Sequence, residues 1–414
     1  MSLGRRALSA LALLAVALSQ PISAEETPPR AARAGECKPL ETREPNAPEQ
    51  RPSFPGQTRA CAVKSSVAFE VTVLTRELES PWAVEPLPDG RLLVTERPGR
   101  MRVVSAAGAL GEPIAGLPEV DAGGQGGLLD VALGPTFASD RTIYWSYSEP
   151  RGEGNATSVA RGALSEDGRR LDDVRVVFRA EPTYDGDKHF GSRLAFGPDG
   201  MLYVTLGERS DKPMRMQAQQ LDSHMGKTVR IRPDGAAPPD NPFFGRAGAK
   251  PEIWTLGHRN VQAAAFDPQG RLWVVEHGTK GGDELNLVEK GKNYGWPLVA
   301  FGREYSLDPI PGAVTDRPDY EPPVYFWDPV IAPSGAQFYG GNAFPEWRGS
   351  LFVGGLMAHA VVRLVLEGDR VTGEEHLLEE RGKRIRDVRE GADGALYVVT
   401  DHPTGELWRV EAPR

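Results

Sequence analysis

From about residue 66 the chain reads as short apolar runs broken by Gly, Pro, Asp and Asn, and almost no window repeats at the i, i+3, i+4 spacing of a helix. This pattern predicts an all-β protein. One phrase recurs, an apolar strand end, a Pro/Asp/Gly turn and a second apolar strand. It stands at Leu87-Pro-Asp-Gly90, Phe196-Gly-Pro-Asp-Gly200, Phe266-Asp-Pro-Gln-Gly270 and Gly391-Ala-Asp-Gly394, with degenerate copies at Leu133-Gly-Pro-Thr-Phe137 and Phe344-Pro-Glu-Trp347. With residues 88, 135, 198, 268, 345 and 393 as markers, the spacings are 47, 63, 70, 77 and 48 residues. Units of this size, six in all, suit a six-bladed β-propeller with four-stranded antiparallel blades, the longer units carrying insertions. One such blade cannot bury both faces alone, so neighbours must stack radially. A pair of β-sandwiches with coincidental turns is the competing architecture. In a propeller, insertions build a site around one mouth of the central channel, which directs attention to the three long spacings.

The N-terminal region follows another pattern. Residues 1–24 hold Arg5 and Arg6, an apolar run from Ala7 to Ser19 and a small-residue end at Ser23-Ala24, the order of a cleavable secretory signal. The run is too short to span a bilayer, so export to the periplasm or beyond is expected, without a membrane-integral segment. Residues 25–65 are rich in Pro, Glu and Arg, lack periodicity, and are expected to form an extended, poorly packed leader before a propeller at 66–414. Cys37 and Cys61 both fall in this leader, and in an oxidising compartment they are expected to form a disulfide.

Composition narrows the partners. The 47 Gly and 36 Pro, about one residue in five, fit a turn-rich fold, and two Cys are too few for a Cys-rich metal site. The formal charge is −9, becoming −11 once Arg5 and Arg6 leave with a signal, which argues against nucleic acid as a partner.

Four clusters could carry chemistry. His189 precedes a predicted blade strand and is suited to taking a proton near neutrality, although a lone His is more often structural. Arg259 and Asn260 set a fixed cation beside an amide, able to bind a carboxylate or oxyanion or simply to form a surface pair. The Gly-rich acidic stretch from Glu276 to Glu284, followed by Asn293-Tyr294-Gly-Trp-Pro297, offers carbonyl and carboxylate oxygens to Ca²⁺, or a solvated acidic turn. Arg384 and Arg386 alternate along a predicted strand and share a face, which suits a small polyanion or a solvated basic edge.

Taken together, six phrases from about Glu79 to Trp408 resemble the soluble aldose sugar dehydrogenases, six-bladed quinoproteins that use pyrroloquinoline quinone (PQQ). They are Gly124-Gln-Gly-Gly-Leu-Leu-Asp130, His189-Phe-Gly-Ser-Arg-Leu194, Gly257-His-Arg-Asn260, Gly281-Gly-Asp-Glu-Leu-Asn286, Asn293-Tyr-Gly-Trp-Pro297 and Arg384-Ile-Arg-Asp387. The resemblance implies that His189 is the base for the anomeric hydroxyl of an aldose, with hydride passing to the quinone and an aldonolactone as product. It further implies Gln125, Arg259, Asn260, Tyr305, Arg384 and Arg386 as quinone contacts, Arg259 also stabilising charge at the reacting carbonyl. The carbonyls of Gly278 and Thr279 correspond to ligands of a cofactor-bridging Ca²⁺, and Glu284 with the Tyr294 carbonyl to a second Ca²⁺. The electron acceptor is left unspecified.

Three positions depart from the family pattern. Met357, with Leu356, stands where relatives often place a cofactor-pairing lysine, Val261 follows the Arg-Asn pair where Pro is usual, and Thr279 replaces a common Pro. Two other functions remain compatible with a propeller of this kind: a Ca²⁺-dependent sugar lactonase, which does not need Gln125, Arg384 and Arg386, and a binding propeller without catalysis, supported by Met357 alone.

Overall fold

Every marker turn closes the first hairpin of a blade. In the computed structural model, which describes residues 37–413, the turns at 88, 135, 198, 268, 345 and 393 each join an innermost strand to the next one out. The innermost strands are Pro81–Pro86, Leu128–Leu133, Leu194–Phe196, Val261–Phe266, Pro333–Phe338 and Ile385–Glu390. We number the blades 1 to 6 in that order. The strands next to them are Leu92–Glu96, Thr142–Arg151, Leu202–Thr205, Leu272–Glu276, Leu351–Gly355 and Leu396–Thr400, and two further antiparallel strands complete each blade.

Blade 6 takes its outermost strand from the other end of the chain. Glu70–Leu78 pairs antiparallel with Gly405–Glu411, Val73 opposite Trp408, so the ring is closed by backbone hydrogen bonds. Leaving that edge unpaired would expose a row of amides and carbonyls.

Stacking explains the continuous apolar runs. Leu92–Glu96, Leu272–Glu276, Leu351–Gly355 and Leu396–Thr400 are buried at every position because a blade lies against each face. Six clusters each straddle one junction. Leu93 and Met101 of blade 1 meet Trp145 of blade 2, Tyr144 and Phe178 meet Leu202 and Val229 of blade 3, and Tyr203 meets Val261 and Val274 of blade 4. Trp273 and Trp327 meet Val353 and Leu364 of blade 5, Phe352 meets Val388 and Trp408 of blade 6, and Tyr397 and Leu407 return to Val84 and Val94 of blade 1.

The leader is irregular and is tied to the blades at a few points. Residues 1–36, including the predicted signal, lie outside the described residues, but Lys38 onward belongs to one compact unit with the blades. Asp328 accepts hydrogen bonds from the amides of Asn46 and Ala47, each at 2.9 Å. Gln57 is fully buried and donates to the Pro323 carbonyl at 2.7 Å, while Ala60 N donates to Tyr325 Oη at 2.8 Å. Cys61–Ala62 adds a parallel fifth strand to blade 5, Cys61 opposite Gly373. From residue 38 the leader is anchored at Ala47, Gln57 and Ala60, while the rest of residues 38–65 is exposed or half-buried. The anchoring comes from hydrogen bonds to blades 4 and 5 rather than from a periodic apolar face, so composition does not show it. Both cysteines are disulfide-bonded, as expected.

Candidate active site at the mouth of the channel

The starts of the inner strands surround a cavity of about 360 Å³ lined by Trp82, Gln125, Leu129, Gly191, Gln262 and Ala332. Four further lining residues, Arg97, His277, Leu356 and Asp401, each directly follow the second strand of their blade, and Arg384, Arg386 and Met357 complete the basic side. The fold thus brings Gln125, Met357 and the Arg384/Arg386 pair together from three separate stretches of sequence.

His189 is buried at the edge of this cavity, next to the lining residue Phe190. Its Nδ1 is hydrogen-bonded to Glu208 Oε1 at 2.6 Å, and Nε2 has no partner among the described residues. Its backbone is left-handed, with φ of 51°, and its amide donates to Gln125 Oε1 at 3.0 Å. A residue other than Gly in this conformation costs about 1–2 kcal/mol, so the loop is held against its own preference. Gly207 permits the close approach, because a Cβ there would lie 2.1 Å from the His189 carbonyl. Burial, then the cations Arg259, Arg209, Arg215 and Lys188, hold the imidazole well below its ordinary range and keep it neutral. Burial pushes Glu208 the other way, to about 7, with Arg259 and then Arg215 opposing. A neutral imidazole oriented by a buried carboxylate can accept a proton through Nε2.

Arg259 and Asn260 flank this pair. Arg259 is buried, its amide donates to Glu276 Oε2 at 2.7 Å, and its guanidinium lies 5.2 Å from the Trp296 ring centre. Nη1 donates to the carbonyls of His277 and Gly278, while Nε is buried without a partner among the described residues. Asn260 Oδ1 accepts from the Gly191 amide at 3.1 Å and so anchors the His189 loop. Tyr305 stands apart from the cavity lining and is 67% exposed, next to Glu304, which is paired with Arg215.

The basic side is organised by a single acid. Asp401 Oδ2 accepts from Arg384 Nε at 2.9 Å, and Asp401 Oδ1 accepts from Arg386 Nη2 at 2.8 Å. Despite burial, Arg386 and then Arg384 bring Asp401 down to about 2, so it stays ionised. Arg384 precedes the strand rather than lying in it, yet both guanidiniums converge on one carboxylate. Below the cavity, Arg193 is fully buried with Nη1 at 2.7 Å from Asp130 Oδ1 and 3.3 Å from Asp387 Oδ1, and its guanidinium lies over Trp82. Arg389 adds contacts at 3.6 Å to both aspartates.

In the acidic stretch, Glu276 and Glu284 face each other across paired strands. Burial and the Glu276 charge raise Glu284 well above the carboxylate range, and Asn286 Oδ1 and Thr279 Oγ1 are buried without partners among the described residues. Gly278, Thr279, Glu276 and Glu284 line a void of about 10 Å³, room for one water-sized particle. Oxygens in this state fit a hard cation, which would relieve the like-charge pair. Among the described residues no group of three or more His, Cys, Asp and Glu is arranged around a metal position, so carbonyl and amide oxygens would have to supply the remaining ligands. Tyr294 donates through its hydroxyl to the Leu287 carbonyl at 2.6 Å and stacks on His258.

Residues 78–409 match the profile of the glucose/sorbosone dehydrogenase family. The chain belongs to this family. It is 46% identical over 348 residues to the aldose sugar dehydrogenase YliI of Escherichia coli, covering 83% of this chain and 93% of that protein. The solved apo structure of the soluble E. coli aldose sugar dehydrogenase matches with a TM-score of 0.80 at 44% identity, covering 84% of this chain and all of that one. A PQQ-bound aldose sugar dehydrogenase from Streptomyces coelicolor matches with a TM-score of 0.69 at 31% identity, covering 84% and 99% of the two chains.

In this glucose/sorbosone dehydrogenase, sequence reading missed Glu208, Asp401, Gln262 and Arg97. A usable signal existed for three of them. Asp401 and Arg97 each follow a repeat strand directly and Glu208 lies three residues past one, the positions at which a blade reaches the channel mouth. Gln262, which donates to the Gly191 carbonyl at 3.1 Å, carries no such mark.

Proposed function

We propose that the protein is an exported enzyme that oxidises the C1 hydroxyl of aldose sugars to aldonolactones, with PQQ in the channel-mouth cavity and Ca²⁺ beside Gly278, Thr279 and Glu284. The observation that carries this reading is the neutral, Glu208-oriented imidazole of His189 next to a cavity whose other wall is basic. Bound PQQ would supply the hydride acceptor, and Ca²⁺ a Lewis acid.

The chain's own residues do the rest. His189 Nε2 takes the hydroxyl proton as C1 becomes a carbonyl carbon, and Glu208 stabilises the imidazolium that forms. Arg259 sets a fixed positive charge beside the base, where negative charge develops during transfer. Arg384 and Arg386, both anchored on Asp401, would hold carboxylates of the quinone. Gln125 holds the His189 loop from the sugar side, Asn260 from beneath, and Met357 gives the rim an apolar edge that adds no charge. Tyr305 belongs to the entrance.

Purified protein with PQQ and Ca²⁺ is expected to reduce an artificial dye at the expense of glucose or another aldose. Quinone binding without dye reduction for any aldose would make this a binding propeller, and lactone hydrolysis without quinone would make it a lactonase. His189→Gln is expected to abolish turnover and leave quinone binding intact; equal loss of both removes His189 from its role as base.

A further inference from the structure

We propose that Arg97 is a third anion-binding residue of this cavity and takes a carboxylate of PQQ together with Arg384 and Arg386. The inference rests on the reading of the cavity as the quinone site.

Three guanidiniums, those of Arg97, Arg384 and Arg386, line the cavity against one carboxylate, Asp401. Asp401 is fully engaged by Arg384 and Arg386, both of its oxygens accepting from them. Arg97 makes no ion pair among the described residues. Its Nη1 donates to the Gly124 carbonyl, and its Nε is buried with no partner among the described residues. Burial, then repulsion from Arg386, lowers its pKa, with Asp401 pulling the other way. The cavity therefore holds more positive charge than its one carboxylate balances, a state that an anionic ligand would offset.

The residue is also rigidly placed. Its amide donates to the Ser80 carbonyl and its carbonyl accepts from the Leu128 amide, each at 3.1 Å. Gly127 packs so closely that a Cβ there would lie 2.0 Å from the Arg97 carbonyl. Arg97 stands in blade 1 where Asp401 stands in blade 6 and His277 in blade 4, directly after the second strand. Such pre-organisation lowers the ordering cost of binding.

The test is equilibrium dialysis of the full-length protein with PQQ and with its trimethyl ester, in which the carboxylates are neutral. Arg97→Gln is expected to raise the Kd for PQQ about 10- to 100-fold, the range of one charged hydrogen bond, and to shrink the preference for PQQ over the ester by the same factor. It should also flatten the salt dependence of binding. Wild-type Kd and ester preference in Arg97→Gln, with Arg384→Gln impaired, overturn the proposal and leave the quinone site standing. Absence of PQQ binding by the wild type overturns the site and the Arg97 role together. If Arg97→Gln does not fold, Arg97→Met decides. An unchanged Kd and ester preference there overturn the proposal, because Met keeps much of the side chain's bulk without its charge.

Discussion

Replacing Glu208 by Gln tests the base through its partner. Glu208 is fully buried, Oε1 accepts from His189 at 2.6 Å, and Oε2 has no partner among the described residues. Burial raises its carboxyl from 4.5 to about 7, against the pull of Arg259 and Arg215, so holding it ionised in the fold costs about 3 kcal/mol relative to solvent. His189 is displaced in the opposite sense and stays neutral through the same range, so Glu208 sets the acid limb. As pH falls through about 7 the carboxylate is protonated and no longer balances the imidazolium, and kcat/KM for the sugar should fall with it. The Gln side-chain oxygen can still accept from Nδ1–H, but it brings no charge. A loss of about 10²- to 10⁴-fold in kcat is expected, together with disappearance of the acid limb. Stability should move the other way. The penalty on the wild type is absent well below pH 4.5 and complete above about pH 7, so Glu208→Gln should melt higher than wild type near pH 8 and about equally near pH 4. Dye-reduction rates and thermal melts across that range provide the assay. A Gln variant that keeps its kcat, or retains the wild-type acid limb, refutes the assignment.

Three other outcomes can be measured on the same protein. Arg193→Met leaves Asp130 and Asp387 short of one buried partner and should cost about 3–5 kcal/mol in urea unfolding, while quinone-loaded activity per folded molecule falls far less than in a His189 variant. Gly207→Ala places a Cβ 2.1 Å from the His189 carbonyl, so kcat should drop with little change in quinone Kd; the reverse split would move the loop's role to binding. Glu284→Gln removes one of two facing carboxylates and should raise the melting temperature in chelator but lower it relative to wild type once Ca²⁺ is added; a rise under both conditions would argue against a cation there.

The propeller was legible because its signal repeats. Six copies of a turn phrase mark six hairpins, and each copy sits where the innermost strand meets its neighbour. The leader's anchor points were not legible because they are borrowed. Asn46, Gln57 and Ala60 are held by Asp328, Pro323 and Tyr325, more than 260 positions away, and a local window contains none of those partners. For the site, residues inside distinctive phrases were found, whereas those that orient them were not. Glu208 and Asp401 look in sequence like ordinary surface acids after a strand. Each finds its partner within its own blade, where the turn after the second strand meets the segment that leads into the first, Asp401 with Arg384 and Arg386 and Glu208 with His189.

The phrases also carry more than the chemistry they suggested. Asp130, Arg193 and Asp387 stand at or near the ends of three of them, and the fold brings these three together under the cavity, with Arg193 between the two aspartates. The inner strands line the upper cavity with their first residues, among them Leu129 and Arg386, and a separate lower cavity of about 520 Å³ with their last, among them Leu133, Phe196 and Glu390. The buried ion network lies between them in chain position, Asp130 and Asp387 within their strands and Arg193 directly before its own. It holds three blades in register at the level where Trp82 floors the upper cavity, and Arg193 stacks on that ring. A floor built from charges that are costly to separate resists slippage of one inner strand past another. His189 and Arg386 are each within four residues of a network member. Their placement across the cavity is thus fixed by the same short segments that form the floor, which explains why chemistry and scaffold are written in single phrases of sequence.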